Sequence, residues 1–96
     1  MFDKMKDLME MKRQADQIKK ELDASSVTSE DIRGIKIVIT GSQNVRSIEV
    51  EEAKLGVDNK IRLEQDLVKS FNSAIKKSQL LAAQKMKAVM PGFPGI

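Results

Sequence analysis

Apolar residues recur with helical spacing at both ends of the chain and alternate in the middle. Met1, Leu8, Ala15 and Leu22 repeat every seven residues, Met11 and Ile18 fill the seam between them, and no Gly or Pro intervenes. That pattern predicts a helix over 2–23, widened on one side by Phe2, Met5 and Met9. Ile35-Lys36-Ile37-Val38-Ile39-Thr40 is the clearest strand, with Ile35, Ile37 and Ile39 on one side and Lys36, Val38 and Thr40 on the other. Gly41-Ser42-Gln43-Asn44 has hairpin length, and 45–50 returns as a strand with Arg46, Ile48 and Val50 on one face. Within 25–30 only Val27 and Thr28 are β-branched, so a strand there is short and at an edge. A connector over 51–59 leads through a cap at Asp58 or Asn59 into a second helix from Lys60 to about Met90. Leu63, Leu67, Phe71, Ala74, Ile75, Ser78, Leu81, Ala82, Met86 and Val89 form its broad apolar stripe.

Consecutive strands joined by a tight turn predict an antiparallel meander of three strands flanked by the two helices, an α+β fold in one domain spanning 1–90. The tail 91–96, Pro91-Gly92-Phe93-Pro94-Gly95-Ile96, cannot continue the helix and is expected to be flexible. A helix of about 30 residues is roughly 45 Å long, whereas a compact domain of this size has a radius of gyration of only ~13 Å. The second helix should therefore overhang its own sheet. Its stripe continues along the overhang, and a second copy of the chain is the expected cover, giving a symmetric homodimer. Leu67, Phe71, Ala74, Ile75, Leu81 and Met86 are the expected dimer contacts.

Composition narrows the chemistry. The 96 residues contain no Cys and no His, which removes disulfides, thiolate nucleophiles, the commonest general base and the commonest transition-metal ligands. No cofactor, metal or small-molecule substrate is expected. No apolar run is long enough for a bilayer, so no membrane association is expected, and the charged opening Met1-Phe2-Asp3-Lys4 is unlike a signal peptide. Cytoplasmic residence is the default expectation. Three Phe with no Trp or Tyr argue against single-strand binding on aromatic platforms.

The net charge of +3 is modest, but its placement is uneven. Residues 66–96 carry one acid, Asp66, against five lysines: Lys69, Lys76, Lys77, Lys85 and Lys87. Lys69, Lys76 and Lys87 project within about 20° of one another, opposite the apolar stripe, and Lys85 falls inside the stripe, where it snorkels or marks the end of burial.

Three classes of function compete for this sequence. An enzyme has little to work with: the acid pairs Glu30-Asp31 and Glu51-Glu52 read as solvated loop residues, and Gly34, Gly41 and Gly56 read as turn residues rather than a phosphate loop. A nucleic-acid binder could use the lysine side of the last helix against phosphates. Lysines opposite an apolar stripe are ordinarily just a solvated face, but such faces normally mix signs, and here no acid follows Asp66. With no recognition-helix turn, zinc finger or basic zipper, binding would rest on backbone charge and duplex shape. The third class is a protein-interaction module, a prefoldin-like holdase using the Met-rich first helix. That helix is short for the role, and methionines there also serve as ordinary core filler.

The ordered set of segments resembles the YbaB/EbfC family of nucleoid-associated proteins over nearly the whole chain. The resemblance is carried by Met11-Lys12-Arg13-Gln14-Ala15, by Gly34 to Gly41, by Val45-Arg46-Ser47-Ile48-Glu49-Val50, by Leu67-Val68 with Phe71-Asn72-Ser73-Ala74, and by Gln84-Lys85-Met86 before Pro91-Gly92. It departs from the family pattern in having Glu51-Glu52-Ala53 where Asp-Pro is usual and Asn72-Ser73-Ala74 for Asn-Asp-Ala. The resemblance implies an α-β-β-β-α protomer, a homodimer, duplex DNA as partner, a nucleoid location, no catalysis and a possible part in regulation. It also implies DNA contacts from basic residues of both helices: Lys12, Arg13, Lys19 and Lys20 in the first, and Lys69, Lys76, Lys77, Lys85 and Lys87 in the last. Lys76, Lys77 and Lys87 are the foremost of these, because they lie away from the stripe.

Overall fold

The computed structural model describes residues 2–89, with side chains described for residues 5–88; the tail 91–96 lies outside the described residues. The order is helix α1 (Phe2–Ala24), strands β1 (Ser26–Ser29), β2 (Ile35–Thr40) and β3 (Val45–Val50), and helix α2 (Lys60–Val89). The predicted α-β-β-β-α, α+β architecture is what forms. The sheet is antiparallel throughout in the order β1-β2-β3, so β1 is an edge strand as expected.

The core lies between one face of this sheet and α2. Ile35, Ile37 and Ile39 are buried with Ala74, and Val27, Ile32, Leu63, Leu67 and Phe71 pack around them. Three small residues spaced four apart on α2 face this row: Ser70, Ala74 and Ser78 are all buried. Their size lets the helix come close to the strand. Ser78 Oγ donates to the Thr40 carbonyl at 2.7 Å, which fixes the helix along its axis as well.

Two expectations about this layer change. The helices do not share the sheet: α2 lies over β1 and β2, while α1 packs mainly on α2. β3 does not alternate strictly either. Ile37 pairs with Ile48, but Ile39 pairs with Val45, so Arg46 is an extra bulge residue. The bulge returns Val45 to the isoleucine face and frees Arg46 to leave the sheet.

Arg46 then helps to anchor α1. The last turn of a helix leaves carbonyls without helical partners, and in α1 these are satisfied from outside the helix. Ser25 Oγ donates to the Glu21 carbonyl at 2.7 Å, the Gly41 amide to the Leu22 carbonyl at 3.1 Å, and Arg46 to the Asp23 carbonyl at 2.9 Å. Ser42 Oγ adds a 2.6 Å bond to the Asp23 carboxylate. Gly41 is therefore small for proximity, since a Cβ there would stand 2.9 Å from Leu22 Cδ2. The left-handed residue of this turn is Gln43, at φ 66°.

From that anchor α1 lies along the C-terminal half of α2, with Ile18 buried and Glu21 facing Lys85. The overhang expected of α2 is real, and the protomer measures 67 × 20 × 17 Å. Its apolar stripe is nevertheless partly covered within the chain, and Leu81, Ala82 and Met86 are half-buried.

The connector differs in detail from expectation. Two single 3-10 turns, Glu52–Lys54 and Val57–Asn59, lead into α2. Asn59 does not cap the helix; its side-chain amide donates back to the Leu55 carbonyl at 2.9 Å. Lys54 reaches Asp66 at 3.1 Å across Gly34, which sits at φ +88° and where a Cβ would lie 2.6 Å from Lys54 Cε. Gly34→Ala therefore combines backbone strain with displacement of this half-buried ion pair. It is expected to lower stability by about 1–3 kcal/mol in urea unfolding.

Candidate nucleic-acid interface

Because Ser70, Ala74 and Ser78 face the sheet, the opposite side of α2 faces solvent. Lys69, Lys76 and Lys87 lie there and are exposed. Seven and eleven residues separate them, or about 10 and 16 Å along the axis. No carboxylate stands within ion-pair distance of these three among the described residues. Arg62, also exposed, extends the row by one more seven-residue step. The sequence reading missed it, although its spacing from Lys69 carried the signal.

The other two lysines are engaged by acids from earlier in the chain. Lys85 stands 3.7 Å from Glu21 of α1. Lys77, expected with Lys76 and Lys87 to lie clear of the apolar stripe, instead turns toward β1. It is half-buried beside Val27, Leu80 and Leu81, and its Nζ donates to Asp31 Oδ1 at 2.9 Å. The other Asp31 oxygen accepts from Ser73 Oγ, and Ser29 Oγ reaches Ser73 Oγ at 3.2 Å. The Lys77 hydrogen bond, with the Ser73 hydroxyl second, holds the Asp31 carboxyl below its ordinary value, against an opposing effect of burial. The helix that is acid-free in sequence after Asp66 is thus not acid-free in space.

On α1, Lys12, Arg13, Lys19 and Lys20 are all exposed. They share the helix with Asp7, Glu10, Asp16, Glu21 and Asp23, so α1 presents mixed charge rather than a basic row. Met5, Leu8, Met9 and Met11 of α1 are exposed as well.

The apolar side divides differently from the sequence reading. Ala74 is fully buried against its own sheet and is not free to meet another chain, while Leu67 is half-buried on the same core. Leu81 is half-buried beside Val27 of β1. Phe71 and Met86 are half-buried, and Ile75 is 37% exposed on the flank. The larger uncovered surface involves residues not expected there. Ile61, Val68 and Ile75 repeat every seven residues along one flank of α2, 70%, 61% and 37% exposed. Val45 and Ile48 also stay exposed on the isoleucine face of β3, which α2 barely reaches. The seven-residue spacing was readable; the exposure depended on the roll of the helix.

Among the described residues no group of three or more acidic side chains could hold a metal ion, and no helix is long and apolar enough to cross a membrane. The described residues thus form a small α+β protomer with a row of exposed basic side chains along one side of a long helix. The sequence matches the YbaB/EbfC DNA-binding family over residues 1–93, and the chain belongs to that family, which is one of DNA-binding proteins and not of enzymes.

The Asp31 contact has a defined pH signature. A carboxyl whose folded value is depressed stabilises the fold above its unfolded value, and the contribution is lost as pH falls through the folded one. A carboxyl-detected NMR titration should place the Asp31 midpoint below 3.8 in the wild type and higher in Lys77→Met.

Proposed function

We propose that this protein is a nucleoid-associated protein of the cytoplasm that binds duplex DNA as a homodimer, chiefly through phosphate contacts, and takes part in nucleoid organisation or gene regulation. The observation that carries this reading is the row Lys69, Lys76 and Lys87, exposed on one side of α2 with no acidic partner among the described residues, in a chain of a DNA-binding family. Ammonium groups at such wide spacing suit a backbone of regular charge better than base edges. Lys12, Arg13, Lys19 and Lys20 would add charge from α1, and Lys77 and Lys85 less, being already paired.

Homodimerisation draws support from the apolar flank. Ile61, Val68 and Ile75 with Val45 and Ile48 make an uncovered surface of the kind that marks an association site, and a repeat of seven suits a second helix. The interface so proposed keeps Leu67, Phe71, Ile75, Leu81 and Met86, gives up the buried Ala74 and adds Ile61, Val68 and Ile48. The exposed methionines of α1 are what a holdase would use, but family membership favours DNA.

Two measurements test these points. Lys69→Glu/Lys76→Glu/Lys87→Glu should weaken duplex binding by about two orders of magnitude and flatten its salt dependence, each lost contact removing about 0.9 from the slope; unchanged affinity would refute the phosphate reading. By sedimentation equilibrium, the wild type should have twice the 10.7 kDa protomer mass and Val68→Glu/Ile75→Glu the mass of one protomer. A wild type that stays monomeric at micromolar concentration would exclude the dimer.

A further inference from the structure

Asp31 stands where it has most effect on the basic row. Its loop, between β1 and β2, brings it to the side of α2, where it lines an open concavity with Lys69, Asn72, Ser73 and Lys76. Two of those, Lys69 and Lys76, belong to the row without acidic partners. The carboxylate is itself held by the Ser73 hydroxyl and the Lys77 ammonium, 2.9 Å away. One ammonium and one hydroxyl on the anion, with two further ammoniums lining the same concavity, make a set of donors that serves a phosphate as readily as a carboxylate.

We infer that Lys69, Asn72, Ser73, Lys76 and Lys77 form a seat for one DNA backbone phosphate, and that in the free protein the Asp31 carboxylate occupies it as an internal substitute. The inference rests on the phosphate-contact reading above and adds to it a built-in competitor. Asp31 and Ser73 are joined in space across forty-two positions of sequence, and Ser29 backs the Ser73 hydroxyl from the edge strand. The carboxylate is more than half exposed and Lys77 more than a third. An incoming phosphate therefore reaches both without opening the core. The internal anion sets how tightly the protein holds any duplex: Lys77 counts toward binding only when phosphate displaces Asp31. Lys85 and Glu21 do not repeat the arrangement, since their pair is longer, at 3.7 Å, and neither lines this concavity.

The test compares Asp31→Asn with a variant of equal charge change, Glu30→Gln. Glu30 is the chain neighbour of Asp31 but lines a different concavity, with Lys36 and Glu49. Binding of a short fluorescent duplex is followed by anisotropy across a salt series, with thermal unfolding of each variant in parallel. Asp31→Asn should bind roughly tenfold tighter at ~0.1 M salt with a slope steeper by about 0.9 per seat, and Glu30→Gln should gain much less. Adding Lys77→Met to Asp31→Asn should abolish the gain. Asp31→Ala carries the same expectation, so that an effect of the asparagine on the loop is told apart from loss of the charge. Equal gains in Asp31→Asn and Glu30→Gln, no gain in Asp31→Asn, or a gain that survives Lys77→Met would each overturn the seat while leaving the DNA reading intact, provided the wild type binds in a salt-dependent way. A wild type that does not bind would overturn both.

Discussion

The close approach of α2 to the central strand governs the rest of this structure. Ile37 and Ile39 are almost wholly buried because the residues of α2 that meet the sheet are small: Ser70, Ala74 and Ser78. A large side chain at any of these positions would hold the helix off the strand and open the core to water. Ser78 meets the Thr40 carbonyl, whereas the Ser70 hydroxyl has no hydrogen-bond partner among the described residues, so only its small size serves this seam. Once this seam is set, the roll of a thirty-residue helix is fixed. Lys69, Lys76 and Lys87 then face solvent, and Ile61, Val68 and Ile75 lie on an uncovered flank.

A second constraint, at the β2–β3 turn, gives the protomer its reach. The bulge that releases Arg46, the missing Cβ of Gly41 and the hydroxyls of Ser25 and Ser42 all act on the last turn of α1. They fix the direction in which α1 leaves the sheet and lay it beside α2. The resulting protomer is 67 Å long with a radius of gyration of 18.4 Å, against ~13 Å for a compact chain of this size. That length exceeds the ~34 Å helical repeat of duplex DNA. The exposed row from Lys69 to Lys87 itself takes up eighteen residues of α2, or about 27 Å of that length.

Much of this fold was legible in the sequence because its signals are local. The alternating isoleucines of β2, the hairpin-length turn and the uninterrupted helical periods each depend on neighbours within one element, and the boundaries of β2 and β3 match. What was not legible depends on how elements meet. The bulge at Arg46 is tied to the anchoring of α1, a contact with a distant element that no reading of 45–50 contains. Ala74 belongs to the same helical stripe as Ile75, and only the width of the sheet decides that one is buried and the other is not. α2 covers two strands and not three, so the stripe splits into a core half and a free half. Lys76 and Lys77 are adjacent in sequence, yet the roll of the helix turns one to solvent and the other to Asp31.

Charge shows the same dependence most sharply. Counted along the chain, the last third holds five lysines against one acid. In space, Asp66 is taken by Lys54, and Asp31 and Glu21 arrive from the other end of the chain to meet Lys77 and Lys85. The effective basic surface is therefore a sparse row of separated ammonium groups rather than a dense patch. Acids beside the row lower its local positive charge without altering the spacing of its ammonium groups. The local charge of this surface is therefore set by which acids the fold brings beside the helix, and not by how many lysines the helix carries.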